Sequence, residues 1–260
     1  MGKSKILWQS STPISGLPAY SDAIRKHAKN ILGPDYELEI KGVDRGSLDL
    51  HYNYVQYLND YNILNNILRA EAEGFEAVAI GCFFDPVLKE AREVANIPVV
   101  SLAETGMLYA CMYGQKFSVV TYQKQVIRKK YDQLVNLYGL QSRSVAGEYF
   151  DISLNVLANS FTNPKPVLDA FLEAGRRAVK NGAEVILPGC GLLNLIVVQN
   201  KLTEIDGATV LDVSGALMKT AEAMITLKKV SGIGMTRAGL YESPCRKVLD
   251  AANDIYGVKV

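Results

Sequence analysis

The chain has 260 residues, 48% of them hydrophobic and 21% charged, with a formal net charge of +1. That balance fits a soluble globular core and removes the electrostatic case for nucleic acid or an anionic membrane as partner. Four cysteines are too few for a disulfide scaffold and are not spaced as zinc pairs, and two histidines make a histidine-rich metal site impossible, so free thiols in a cytoplasmic protein are expected.

The first β-rich run covers residues 5–9. Its apolar part, Ile6-Leu7-Trp8, is too short for a signal-peptide core, and no run reaches the roughly 18 apolar residues of a membrane span. Ser10-Ser11-Thr12-Pro13 follows. The Ser10 and Ser11 hydroxyls suit a carboxylate or ring carbonyl, and equally a turn before Pro13. His27 lies in a charged helical stretch and reads as a surface residue. After a second strand at 37–43, the run from His51 to Tyr57 offers aromatic groups for a pocket wall, a helix face or a contact in a homo-oligomer. A third strand at 77–81 ends in Gly81-Cys82-Phe83-Phe84-Asp85-Pro86. Asp85-Pro86 has the signature of a helix start, an N-cap side chain followed by a first-turn proline.

Further strands are expected at 98–102 and 117–122, the latter ending in Thr121-Tyr122, where a hydroxyl is placed to bond a substrate oxygen. Helical periodicity marks 166–180, and a strand at 185–188 ends in Gly189-Cys190-Gly191-Leu192. A strand at 209–213, a glycine-rich loop at 231–241 and a helix at 243–256 complete the chain. Several strands are continuous apolar runs, as in sheets covered on both faces. The alternation of strand and helix gives an α/β fold with parallel sheets.

The two cysteine segments belong to a repeat. Cys82 and Cys190 are 108 residues apart, and the same offset pairs Arg69 with Arg177, Ala70 with Ala178, Gly74 with Gly182, Glu76 with Glu184 and Gly81 with Gly189. Val99 and Val210 match at 111, and Ile6 is expected to match Val119 at 113. Two pseudosymmetric α/β units follow, residues 1–114 with 216–260 packed back on them, and 115–215, facing each other across a cleft. Ligands of parallel α/β sheets bind beyond the carboxyl ends of the strands, where both cysteines would sit. A buried inert thiol is the ordinary reading of one such cysteine, but the duplicated context favours a catalytic pair. One thiol from each half suits proton removal from one face of a carbon and proton return on the other. The helix start at Asp85 is expected to lower the Cys82 pKa below about 8.5. Phe83, Phe84, Gly191 and Leu192 flank the pair as substrate-binding candidates, while Cys111 and Cys245 lack this context and read as structural.

Gly81-Cys82-Phe83-Phe84-Asp85-Pro86, Ile97-Pro98-Val99-Val100 and Pro188-Gly189-Cys190-Gly191 resemble the aspartate/glutamate racemase superfamily. The likeness is greatest to its hydantoin racemase branch, whose C-terminal segment is similar to Thr236-Arg237-Ala238-Gly239-Leu240-Tyr241. The resemblance implies an isomerase without cofactor or metal, acting on a small molecule, with Cys82 and Cys190 as acid and base. It also implies a substrate contact for Tyr122, matching a carboxylate-binding tyrosine of relatives that decarboxylate arylmalonates. The hydantoin branch usually has Asn-Pro-Asn after the first strand, where this chain has Gln9-Ser10-Ser11-Thr12. A cis/trans isomerase of a maleate-like diacid with a covalent cysteine, and a binding protein without turnover, are the alternatives.

Overall fold

A computed structural model describes residues 2–122 and 125–258. Strand and helix alternate as β1 (Ser4–Gln9), α1 (Pro18–Ile31), β2 (Tyr36–Lys41), α2 (Asn53–Ala70), β3 (Ala77–Ile80), α3 (Leu88–Val94), β4 (Val99–Ser101) and α4 (Leu102–Tyr113). The second half repeats the alternation with β5 (Phe117–Tyr122), α5 (Gln125–Leu137), β6 (Glu148–Phe150), α6 (Leu154–Ala158), α7 (Lys165–Lys180), β7 (Val185–Pro188) and α8 (Gly191–Gln199). It ends with β8 (Glu204–Ile205), β9 (Ala208–Val210), α9 (Val213–Ser231) and α10 (Arg246–Tyr256).

The first sheet has the order β2-β1-β3-β4, all parallel, and the second the order β6-β5-β7-β9-β8, with only β8 antiparallel. Leaving β8 aside, the two orders are the same. The repeat also holds atom by atom at the turns. Gly74 and Gly182 both have positive φ, 85° and 93°, a conformation that glycine adopts without a Cβ penalty. Behind them Phe75 N–H bonds Ala70 O and Ala183 N–H bonds Ala178 O, both at 3.0 Å. Strand register corrects one expected match. Ile6 lies opposite Ala77 and Phe117 opposite Val185, so Ile6 is equivalent to Phe117, an offset of 111 rather than 113. The same offset makes Ser11 the counterpart of Tyr122.

Alternation along β1 divides the first core. Ile6 and Trp8 enter a cluster with α1, α4 and α9, whereas Leu7 packs with Val78, Ile63 and Ile67 under α2 and α3. β6 and β8 were not anticipated, because three and two residues are too few to show a period of two. After β9 the chain leaves the second sheet: α9 packs against β3, β4 and α4. Arg237 then bonds the carbonyls of Arg92 and Glu93, and Tyr61 Oη bonds Tyr256 O.

Candidate active site

Gly81 and Gly189 directly follow β3 and β7, and neither tolerates a side chain. A Cβ on Gly81 would sit 2.5 Å from Trp8 Cζ2, and one on Gly189 2.8 Å from Tyr131 Cε2. The next residues, Cys82 and Cys190, both reach one cavity of about 90 Å³. Ser10, Ser11, Phe83, Phe84, Tyr122, Gly191 and Leu192 line it as well. The two halves meet closely here, since a Cβ on Gly191 would lie 3.0 Å from Gly81 O. Thr121 does not reach the cavity. Alternation along β5 turns it towards Gly189 and Tyr131, where its hydroxyl is buried without a partner of standard geometry.

The two thiols have different surroundings. Cys190 occupies the N-cap of α8, with the Leu193 and Leu192 N–H groups and the Tyr122 hydroxyl turned to its sulfur. Cys82 stands in a turn, and no helix begins at Pro86. Asp85 has φ 45° and Val87 φ 49°, and α3 starts only at Leu88. Asp85 instead caps α4 from outside that helix. Its carboxylate accepts Ala103 N–H at 2.8 Å, Glu104 N–H at 2.7 Å, Ser101 Oγ at 2.6 Å and Tyr138 Oη at 2.5 Å. The Cys82 thiol therefore lacks the helix terminus expected from the sequence. Burial pushes its pKa up to about 12, against the Ser11 hydroxyl and Phe84 N–H, which favour the thiolate. Burial raises Cys190 too, against its two N–H groups and Tyr122. Both cysteines are only partly buried as residues and line the cavity. The phenols of Tyr122, Tyr131 and Tyr20 are held neutral, first by burial and then by the nearby thiols.

Thr12 and His51, from the hydroxyl run and the aromatic run, also line the cavity. Sequence reasoning missed the rest of the wall: Tyr20, Tyr131, Leu17 and Ile127, with Leu48, Leu50, Leu154 and Ala158. Tyr131 Oη donates to Gly189 O, and its ring stands edge-on to Phe83 at 5.1 Å. Its helical spacing from Ile127 was the available signal. His27 is buried, not on the surface. Its Nε2 lies 2.7 Å from Asp212 Oδ2, and Asn194 Nδ2 donates to Asp212 Oδ1 at 2.9 Å. Burial opposes ionisation of Asp212, yet these partners and Gly215 N–H hold its pKa below the usual carboxylate value. This knot joins α1, α8 and α9, and Asn194 Oδ1 also accepts the N–H of Val213, the first residue of α9, at 3.1 Å. Cys111 and Cys245 are not among the cavity residues.

The described residues lining the cavity include no Asp, Glu, Lys or Arg. No group of three or more His, Cys, Asp or Glu among the described residues is placed to hold a metal ion. Among those residues, too, no helix is long and apolar enough to cross a membrane. A cavity without charged carboxylate, ammonium or guanidinium groups in its described wall, with a thiol from each half, hydroxyls near both and backbone N–H groups at Cys190, can move a proton at carbon and stabilise the resulting oxyanion.

Residues 19–221 match the family model described as Asp/Glu/Hydantoin racemase. A hydantoin racemase of Pseudomonas sp. (strain NS671) is 29% identical over 240 residues, 92% of either chain. Among solved structures, allantoin racemase from Klebsiella pneumoniae aligns with a TM-score of 0.80 at 23% identity, covering 93% of this chain and 94% of that one. Allantoin racemase from Pseudomonas fluorescens also gives 0.80, at 21% identity, covering 93% and 97%. These likenesses agree with the two α/β units and parallel sheets described above.

Proposed function

The chain belongs to the Asp/Glu/hydantoin racemase family, and from that premise we propose that it racemises 5-substituted hydantoins with Cys82 and Cys190 as the acid–base pair. The family places it among the isomerases. In this reading the units are 1–114 with 216–260, and 115–215, each supplying one thiol. One cysteine, as thiolate, takes the proton from C5 of the ring. The electron pair moves onto the C4 carbonyl oxygen as an enolate, and the opposite thiol gives its proton to the other face of C5. The enzyme is left with its two protonation states exchanged, ready for the opposite enantiomer. High thiol pKa values make the thiolate scarce, but they also make it a stronger base towards a weak carbon acid.

The observation that carries the substrate is the absence of charge from the described cavity wall. Aspartate, glutamate or a maleate-like diacid would bring two or three charges into a site whose described wall has no Asp, Glu, Lys or Arg to pair with them, and a buried ion left without a counter-charge costs several kcal/mol. A hydantoin ring is neutral, and its two carbonyls can accept from the Ser10, Ser11 and Thr12 hydroxyls. The names of the relatives support the same class, since allantoin is itself a 5-substituted hydantoin. The test is to incubate enantiopure 5-benzylhydantoin, L-aspartate, L-glutamate and maleate separately with the protein. Loss of optical rotation from the hydantoin alone is expected. Racemisation of either amino acid, or isomerisation of maleate, without any effect on the hydantoin would overturn the proposal.

A further inference from the structure

Behind the Leu48–His51 side of the cavity lies a cation from the other half of the molecule. Lys130, on α5, donates from Nζ to Leu50 O at 3.1 Å and to Gln56 Oε1 at 2.7 Å. The same ammonium stands 4.9 Å from the centroid of the Phe84 ring. Leu50 and Phe84 both line the cavity, and Gln56 lies in the first turn of α2. One side chain of the second unit therefore fastens a wall segment, a helix start and the turn after Cys82, all in the first unit.

The anchor is itself held. Tyr131, next to Lys130, packs on Phe83 and Phe84 with centroids 5.1 and 5.5 Å away and donates to Gly189 O. At the far end of α5, Tyr138 donates to Asp85. The wall segment is fixed at its other end within its own unit, where Asn59 bonds Ser47 N–H and O at 3.2 and 3.1 Å and Ser11 O at 3.0 Å. Between Ser47 and the start of α2 at Asn53 the chain has no regular structure; local bonds from Asp49 N–H to Ser47 Oγ and from Tyr52 N–H to Asp49 O shape it, and Lys130 adds a hold on Leu50 from the other unit.

We propose that Lys130 is a positioning residue that sets the cavity's apolar wall from across the two units, and so tunes selectivity for the ring substituent; the kinetic part rests on the hydantoin reading. The wall it holds carries Leu48 and Leu50, and Leu17 and Leu154 add to the apolar lining of the same cavity. A large apolar 5-substituent needs that wall, whereas a methyl group leaves it largely untouched.

The test compares wild type with Lys130→Met, which keeps the stem and removes the charge and donors, Gln56→Ala, which removes one acceptor, and Lys130→Arg. KM and kcat are measured for 5-benzyl- and 5-methylhydantoin, and amide hydrogen exchange is followed over 47–52 without substrate. Lys130→Met should raise KM for the benzyl compound about tenfold, the scale expected when a wall must be ordered on binding. The rise for the methyl compound should be at most about a third of that. Exchange over 48–52 should quicken about tenfold. Gln56→Ala should move in the same direction by less, and Lys130→Arg should return KM to within about threefold of wild type. Equal KM changes for the two compounds, or unchanged exchange in both Lys130→Met and Gln56→Ala, would overturn the proposal. If wild type racemises no hydantoin, the substrate reading fails, while the exchange data still judge the anchoring.

Discussion

The proposed mechanism requires Cys82 and Cys190 to ionise where burial resists it. Replacing either with alanine should lower racemisation of both enantiomers by about 10²–10⁴-fold, the usual contribution of a positioned acid or base. Each alanine variant should still exchange the C5 hydrogen for deuterium with one enantiomer, opposite between the two, because the surviving thiolate can remove and return a proton on its own face. Polarimetry and proton NMR in deuterated water read both effects. Near-wild-type racemisation by either variant would falsify the two-thiol mechanism. The pH dependence follows from the same burial. With Cys82 raised to about 12, the thiolate fraction grows throughout the neutral and mildly alkaline range. kcat/KM, corrected for uncatalysed racemisation, should therefore rise with pH from 7 to 9, by up to about tenfold per unit. A plateau from pH 7 upward would mean that a thiol ionises near neutrality and that its burial has been misjudged.

At the scale of elements, two helix starts are built by different means. α8 begins on Cys190 itself, so the Cys190 sulfur stands where its N-terminal N–H groups point. α4 begins without a cap hydrogen bond from Ser101, and the carboxylate of Asp85, sixteen residues earlier, takes its N–H groups instead. Asp85→Ala would leave those donors and Tyr138 Oη without their acceptor. It should destabilise the protein by about 2–4 kcal/mol, combining a lost cap with buried unsatisfied groups. Tyr138→Phe breaks only the link to α5 and should cost about 0.5–1.5 kcal/mol. Urea titration checks both, with the slope m unchanged if the effect lies in the folded state. Equal losses in the two variants would show that the cap on α4 contributes nothing.

At the scale of the molecule, α9 and α10 differ in what they hold. α9 buries Val213, Leu217, Met218, Ala221 and Ile225, whereas no residue of α10 is buried. Ending the chain at residue 245 should lower Tm by no more than about 5 °C, and ending it at 212 should abolish the cooperative transition by baring the face of β3, β4 and α4. A calorimetric scan of each truncated chain decides it. The amino-acid sequence by itself determined the duplication, the α/β class and the two strand-end cysteines. Those features are local or periodic: apolar runs of four to six residues, Gly74 and Gly182 at turns that need positive φ, and a thiol one residue past each strand-end glycine. Even the register of the two halves was slightly misread, because no spacing reveals which residues pair across a sheet. Only the tertiary structure decided that Asp85 serves α4, that His27 is buried against Asp212, that Tyr131 of α5 lines a cavity begun by the other unit, and that Lys130 bonds the wall of that cavity at Leu50. Each is a contact between residues far apart in the chain, and burial, which sets the acidity of the two thiols, depends on everything packed around them.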